Sequence, residues 1–116
     1  MPVVRLTTSK TLERSEKEKL AVELTNIVAK ELNKPASVTQ AIVADDCVVS
    51  FGGNFAGPSA FIALMSIGGL TPDACKRLSA GFCALLAKYG VSPERVYICF
   101  NDKKAAEFGW NSTIFG

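Results

Sequence analysis

The sequence contains no histidine among its 116 residues. Serine or cysteine nucleophiles activated by histidine are therefore excluded, and so is every metal site that needs an imidazole ligand. If the chain transfers protons near neutral pH, the base must be another group, because histidine is the only side chain whose ordinary pKa lies in that range.

Cysteine is present, but in no pattern that binds a metal or forms a redox pair. There is no CxxC motif among the four cysteines, which are Cys47, Cys75, Cys83 and Cys99. We interpret all four as reduced packing residues, because free cysteine behaves as a small buried hydrophobe. We therefore expect no metal site.

The sequence also lacks long apolar runs and a marked excess of charge. Its net charge is +2 and its lysines and arginines are scattered, so a nucleic-acid partner is not expected. No apolar run reaches the roughly 18 residues of a membrane span, and the start does not have the pattern of a signal peptide. We expect a cytoplasmic protein with one domain over residues 1–116, and export without a signal peptide as the alternative.

Two similar halves are predicted, each with the order strand, helix, strand. In the first half, strands at Val3–Thr8 and 38–45 flank a helix at 15–33, which begins with a capping box of Ser15 and Glu18. Residues 47–51 are a candidate hairpin partner of the second strand. In the second half, strands at 59–67 and 96–101 flank a helix that Thr71 caps and Gly90 ends.

This order is typical of an α+β fold built from a duplicated split βαβ unit, the ferredoxin-like topology. It predicts a four-stranded sheet with two antiparallel helices on one face. The strand at 59–67 is apolar on both sides, since Phe61, Ala63 and Met65 alternate with Ile62 and Leu64. Such strands are usually buried on both faces, so we expect the helix-free face to pack against other subunits.

Pro2 is the first candidate for chemistry. If Met1 is removed, Pro2 becomes a secondary amine, and an apolar pocket and a nearby cation would both lower the pKa of that amine. Such an amine can act as a general base. The alternative is that Met1-Pro2 is only the rigid start of a strand.

Further candidates lie at the end of the first helix and near the C-terminus. Lys34 can supply the cation, or it is an ordinary solvated lysine at the negative end of a helix. Tyr97 and Cys99 alternate with the apolar residues of the last long strand, so we expect them to face the helix-free side. Phe108, Trp110 and Phe115 belong either to the core or to the wall of a pocket on a neighbouring subunit.

Six short motifs occur in an order that resembles the macrophage migration inhibitory factor family and its tautomerase relatives. They are the initial MP, NKP (33–35), FGG (51–53), SIGG (66–69), RVYICF (95–100) and GWNSTIF (109–115). Each motif is short, but the ordered set spans almost the whole chain.

The resemblance implies a homotrimer whose sheets surround a central barrel, with active sites between subunits. It also implies that Pro2, freed by removal of Met1, is the catalytic base. The implied reaction is keto–enol tautomerisation of phenylpyruvate-like acids, with related activity on dopachrome-like substrates.

Other site residues are assigned by the same resemblance. Lys34 matches a lysine that contacts the substrate carboxylate, and Ile67 matches a pocket residue whose backbone contacts the ligand. Tyr97 matches a tyrosine supplied by the neighbouring subunit. Phe108 and Trp110 match the hydrophobic rim of the pocket.

Three features depart from the family pattern. Cys99 keeps a substrate-binding position but stands where mammalian relatives carry an asparagine, so that hydrogen bond to the ligand is expected to be lost or weakened. Val38 replaces an aromatic residue at the pocket mouth, which loosens selection for planar substrates. Ser59 and Ile62 replace a CxxC pair, so thiol–disulfide oxidoreductase activity is not expected.

Two classes of function follow. The first is an enzyme, a cofactor-independent intramolecular oxidoreductase (isomerase) that acts on small aromatic 2-oxo acids. The second is a cytokine-like signalling or ligand-binding protein with a cell-surface receptor and little catalysis. A ferredoxin-like RNA-binding module fits less well, because the helix-free strands lack the paired aromatic residues and basic stripe of such modules.

Overall fold

The structure is a computed structural model that describes residues 1–116. Its main elements are, in chain order, β1 (Val3–Thr8), α1 (Arg14–Leu32), β2 (Gln40–Ala44), β3 (Ala60–Ser66), α2 (Pro72–Ala87) and β4 (Val96–Asp102). A short hairpin follows, made of β5 (Gly109–Trp110) and β6 (Thr113–Ile114). Both predicted strand–helix–strand units are therefore present.

The four long strands form one sheet in the order β2-β1-β3-β4. The two strands of each half are parallel, and β1 runs antiparallel to β3, so the halves meet at the centre of the sheet. The register places Val3 beside Gln40 and Ala63 beside Cys99. This topology confirms the predicted duplicated split βαβ fold.

The core lies between the sheet and the two helices. Val4, Leu6, Ile62 and Leu64 of the central strands have no exposed surface. They pack against the buried residues of α1 (Leu20, Leu24, Val28, Leu32) and of α2 (Ala74, Leu78, Phe82, Leu85, Leu86). Each large side chain buried here contributes about 1.5–3 kcal/mol, so this interface decides which face of the sheet the helices cover. Neither helix is long and apolar enough to cross a lipid bilayer.

The two ends of α2 agree with the sequence prediction. The Thr71 hydroxyl accepts a hydrogen bond from the N–H of Ala74 at 3.2 Å. Beyond the last turn, the N–H of Val91 donates back to the Leu86 carbonyl at 3.1 Å. Gly90 makes this reversal with a φ of +82°, a conformation that glycine adopts without strain.

The start of α1 differs from the prediction, and the capping box of Ser15 and Glu18 is wrong. The helix begins earlier, where the Glu16 carboxylate accepts a hydrogen bond from the N–H of Glu13 at 2.9 Å. The reason is tertiary, since Leu12 is buried and anchors the chain immediately before this point.

Residues 47–51 form no strand beside β2, so the predicted hairpin is also wrong. Asp46 adopts a left-handed φ of +54°, and the N–H of Cys47 then donates to the Thr8 carbonyl at 3.0 Å. The chain therefore turns toward the end of β1 instead of folding back along the free edge of β2. Phe51 makes only an isolated bridge, to Asn54.

The helix-free face of the sheet carries the alternate residues of β4, as predicted. Tyr97 is 69% exposed, whereas Val96, Ile98 and Phe100 pack against the core. All four cysteines are free thiols, but Cys99 is exposed. Its expected role as a packing residue is wrong within the chain, because it points to the side that no helix covers.

Candidate active site

Pro2 is buried immediately before β1. Its carbonyl accepts a hydrogen bond from the N–H of Gln40 at 3.1 Å. This contact exists because β1 and β2 run parallel and begin side by side, with Val3 opposite Gln40. The pairing of β1 with β2 therefore fixes the backbone of Pro2, the residue that the sequence predicts to be the base.

The amine at the start of the chain lies in surroundings that favour its neutral form. Burial lowers the pKa of the Met1 amine below its ordinary value. The Lys34 ammonium lowers the pKa of this amine further, by charge repulsion and by hydrogen bonding. The cation that the sequence suggested is therefore next to the N-terminus.

Turns at the ends of two elements position Lys34. Asn33 ends α1 with a left-handed φ of 52°, and the N–H of Lys34 donates to the Ala29 carbonyl at 3.0 Å. The Lys34 ammonium donates to the Ile67 carbonyl at 2.6 Å. That carbonyl belongs to the turn after β3, where Gly68 has a φ of +74°. The structure thus brings together Lys34 and Ile67, two of the nominated site residues.

A cavity of about 170 Å³ opens beside Pro2. Its side chains are mostly apolar, and its lining consists of Met1, Pro2, Val3, Val38, Gln40, Phe108, Gly109, Trp110 and Phe115. A second cavity of about 160 Å³ shares four of these residues, Met1, Val38, Trp110 and Phe115, and adds Ser37. Met1 is a common wall of both cavities, so its removal would widen both.

The C-terminal hairpin builds one side of these cavities. Asn111 and Ser112 have φ values of 50° and 69°, as the two central residues of a type I′ turn require. The hairpin stacks Trp110 on Phe115, with ring centroids 6.2 Å apart. The N–H of Phe115 donates to the Phe108 carbonyl at 3.1 Å. Of the two alternatives for these tail aromatic residues, the structure therefore favours the wall of a pocket.

Tyr97 and Cys99 do not line this cavity within the chain. They lie on β4, at one edge of the sheet, whereas Pro2 immediately precedes β1, which β3 separates from β4. Phe51 contacts Tyr97, with ring centroids 5.0 Å apart. A site that contains both groups needs a second subunit, which is what the family resemblance implies.

The polar cavity residue Gln40 was not nominated from the sequence. Gln40 reaches the site because it starts β2, and the parallel pairing of β2 with β1 was the signal that would have revealed it. Phe115, named from the sequence with Phe108 and Trp110, reaches the cavity through the hairpin, whose turn lies between Trp110 and Thr113.

A larger cleft of about 520 Å³ lies between the N-terminal half of α1 and the C-terminal end of α2. It is lined by Lys10, Glu16, Lys19, Glu23, Lys88, Tyr89 and Gly90. Charges of both signs oppose one another there, and the Tyr89 hydroxyl donates to Glu23 at 3.2 Å. Five of its seven lining residues are charged, so the smaller and mostly apolar cavity beside Pro2 is the candidate site.

The fold is that of the tautomerase superfamily, and both sequence and structure lead to one family within it. The sequence model described as macrophage migration inhibitory factor matches residues 1–116. The chain therefore belongs to the macrophage migration inhibitory factor family, as its ordered motifs indicated.

Individual relatives support this assignment. The macrophage migration inhibitory factor homolog of Trichinella spiralis is 39% identical over 90 residues, which cover 77% of this chain and 78% of the relative. The factor of Meriones unguiculatus is 36% identical over 99 residues, with coverage of 84% and 85%. The crystal structure of a macrophage migration inhibitory factor-like protein from Entamoeba histolytica has a TM-score of 0.93 and 29% identity, with 98% of each chain covered.

Proposed function

We propose that the chain is a cofactor-independent keto–enol tautomerase of phenylpyruvate-like and dopachrome-like compounds, with Pro2 as the general base after removal of Met1. The observation that carries the proposal is that Pro2 is buried beside a mostly apolar cavity, next to the Met1 amine, whose pKa is lowered by burial and by Lys34. Membership of the tautomerase superfamily supports the same class of reaction.

The electrostatic surroundings suit a general base. An ordinary α-amine has a pKa near 8, so only about a fifth of it is unprotonated at pH 7.4. Burial and a neighbouring cation both raise that fraction, since each disfavours the charged amine. A general base of this kind accelerates proton transfer by about 10²- to 10⁴-fold.

The proposed reaction moves one proton within the substrate. The Pro2 nitrogen takes a proton from the carbon next to the ketone, and the electron pair of that C–H bond becomes the enol double bond. The ketone oxygen then accepts the proton from the prolinium, so atoms and electrons balance without a cofactor. Lys34 holds the substrate carboxylate while the Ile67 carbonyl, 2.6 Å from the ammonium, holds Lys34. Phe108 and Trp110 surround the aryl group.

We further propose that the working unit is a homotrimer in which a neighbouring subunit supplies Tyr97 and Cys99. Tyr97 is exposed on the helix-free face, and neither residue lines the Pro2 cavity within the chain. Phe61 and Ile42, also exposed on that face, provide further apolar surface for contact between subunits.

Three versions of the N-terminus test the catalytic proposal. Intact mass spectrometry should show that the purified chain has lost Met1. Pro2→Gly keeps a free amine but changes its basicity and rigidity, and we expect it to lower kcat/KM for phenylpyruvate about 10- to 100-fold. An alanine inserted between Met1 and Pro2 turns the proline nitrogen into an amide, and we expect a loss of at least about 100-fold. Turnover unaffected by either change would exclude Pro2 as the base.

A second candidate function is cytokine-like signalling or ligand binding through a cell-surface receptor. Relatives from Meriones unguiculatus and Rattus norvegicus, among others, carry the name macrophage migration inhibitory factor. Val38 gives both cavities an aliphatic wall where the resemblance implies an aromatic one. This function requires export without a signal peptide. Saturable binding of the purified protein to receptor-bearing cells, together with no measurable tautomerisation, would favour it over the enzyme.

A further inference from the structure

Arg5 is the only charged residue on the helix-free face of the sheet. The four long strands contain two charged residues, Arg5 in β1 and Asp102 at the end of β4. Asp102 is in phase with the core-facing residues of β4, and its carboxylate accepts a hydrogen bond from the N–H of Gly68 at 3.0 Å. Arg5 alternates with the buried residues Val4 and Leu6, so its guanidinium lies on the opposite face without a carboxylate beside it.

The neighbours of Arg5 on this face are apolar or small. β1 is an inner strand, and the sheet register places Arg5 between Ile42 of β2 and Ala63 of β3. Cys99 of β4 follows Ala63 in the same row. None of the three ion pairs within the chain includes Arg5. Arg5 is therefore an exposed cation in the middle of the sheet that has no counter-charge in its own chain.

Assembly through the helix-free face changes the surroundings of Arg5. In the proposed homotrimer three such faces turn toward one another, so three copies of Arg5 approach the threefold axis. Each guanidinium then loses water, and no strand brings a carboxylate to this face. A desolvated charge without a counter-charge is strongly unfavourable, and three like charges also repel one another. The interface therefore needs an anion that does not come from these strands.

We infer that a tetrahedral inorganic oxyanion of the phosphate class binds on the threefold axis between three Arg5 side chains and stabilises the trimer. This inference rests on the proposed homotrimer. A guanidinium presents a planar fork of N–H donors that matches the oxygens of such an anion. Three forks related by a threefold axis fit a tetrahedral oxyanion, which has threefold axes of its own. A single chain holds only one of the three forks, so the site is incomplete without the partner subunits.

Binding of inorganic phosphate to the full chain tests the inference. Calorimetry gives a stoichiometry of one phosphate to three chains. Arg5→Met keeps a long side chain and removes the charge, and Arg5 is exposed, so the variant retains the fold. The affinity for phosphate falls at least about 100-fold in this variant, through loss of charge-assisted hydrogen bonds. Arg14→Met, which removes an exposed arginine from α1, leaves affinity and stoichiometry unchanged. One phosphate per chain, or unchanged binding in Arg5→Met, overturns the inference.

Sedimentation with and without phosphate, at equal ionic strength, measures the effect on assembly. Phosphate at a hundred times its dissociation constant raises the association constant of the wild-type trimer about 100-fold. Arg5→Met assembles equally well in both buffers, because it brings no charge to the interface. Failure of this variant to assemble in either buffer also overturns the inference.

The same measurements separate this inference from the proposed function. A wild-type trimer that is indifferent to phosphate shows that the inference is wrong and leaves the homotrimer standing. A chain that stays monomeric in saturating phosphate shows that both are wrong. A trimer that phosphate stabilises, but that turns over no 2-oxo acid, shows that the proposed reaction is wrong and the role of Arg5 stands.

Discussion

The Lys34 ammonium donates a hydrogen bond to the Ile67 carbonyl at 2.6 Å, across a separation of 33 residues in the sequence. This contact joins the end of α1 in the first half of the fold to the turn after β3 in the second half. An ammonium has three N–H donors, so one remains for a ligand after the Ile67 carbonyl and the N-terminal amine have each taken one. Lys34 is therefore fixed in place and still able to hold a carboxylate.

Removing the Lys34 charge should raise both the pKa of the N-terminal amine and the KM for a 2-oxo acid. Burial is a larger cause of the lowered pKa of the Met1 amine than Lys34 is, so we expect the pKa of the amine in Lys34→Ala to rise only part of the way to its ordinary value. Less free base is then present at neutral pH, and the acid limb of the kcat/KM profile moves to higher pH. Loss of a charge-assisted hydrogen bond to the carboxylate raises KM by about 10- to 100-fold.

The pH–rate profiles of Lys34→Ala and wild type provide the measurement. Lys30→Ala is the matched control, since Lys30 is an exposed lysine in the last turn of the same helix. An acid limb that stays in place in Lys34→Ala would show that the lysine does not tune the base.

A charge on the helix-free face should prevent subunit assembly. Phe61 is 37% exposed beside Tyr97 in the sheet, and Phe61→Glu would bury an unpaired carboxylate in the proposed interface. The cost of such burial is several kcal/mol, enough to dissociate a trimer at micromolar concentration. Val22→Glu, at a 59% exposed valine on α1, is the control and should leave assembly intact. Sedimentation of the wild-type chain as a monomer would contradict the trimer proposal.

Arg95 holds the loop before β3 against the start of β4. Its guanidinium donates to the carbonyls of Gly57 and Asn54, each at 3.1 Å. It also donates to the Ser59 hydroxyl at 3.1 Å and to the Asn54 side chain at 2.9 Å. The ammonium of lysine cannot make the four hydrogen bonds of the planar guanidinium. Arg95→Lys should therefore lower the free energy of unfolding by about 1–3 kcal/mol in urea titrations. Arg77→Lys, which alters one exposed ion pair, should cost less than about 1 kcal/mol.

Asp45 should make stability depend on pH. Its carboxylate accepts hydrogen bonds from the N–H of Leu12 at 2.9 Å and from the Lys17 ammonium at 3.2 Å. The Leu12 N–H first, and Lys17 second, lower the pKa of Asp45 in the folded chain. Its stabilising contribution is therefore complete above the ordinary pKa of aspartate and is lost as the pH falls through the lowered value.

Thermal melting of Asp45→Ala against wild type tests this dependence. The variant should melt below wild type at neutral pH, and the difference should shrink on acidification below about pH 4. A difference that is constant from neutral to acid pH would contradict the assignment.

Much of the secondary structure could be predicted because it depends on neighbours in the sequence. β1 has the predicted bounds, and Thr71 and Gly90 mark the two ends of the second helical segment as expected. The alternation along β4 correctly assigned Tyr97 to the helix-free face. These features rest on periods of two or about 3.6 residues and on turn residues, all of which the sequence displays directly.

Where the prediction failed, a distant contact overrode the local pattern. The capping box at Ser15 is absent because buried Leu12 sets where α1 begins. The strand at 47–51 is absent because Cys47 bonds to Thr8 at the end of β1. In each case a residue's partner lies in another element, and no local period encodes that pairing.

The sequence by itself determined the fold class, the family and most of the residues able to do chemistry, Pro2 and Lys34 among them. Only the tertiary structure decided which of these residues share one site. Lys34 meets Ile67 once the two halves pack together, and Gln40 meets Pro2 once β2 pairs with β1. A side chain's chemistry is local, whereas its neighbours in a cavity follow from strand order and helix packing, which bring distant parts of the chain together.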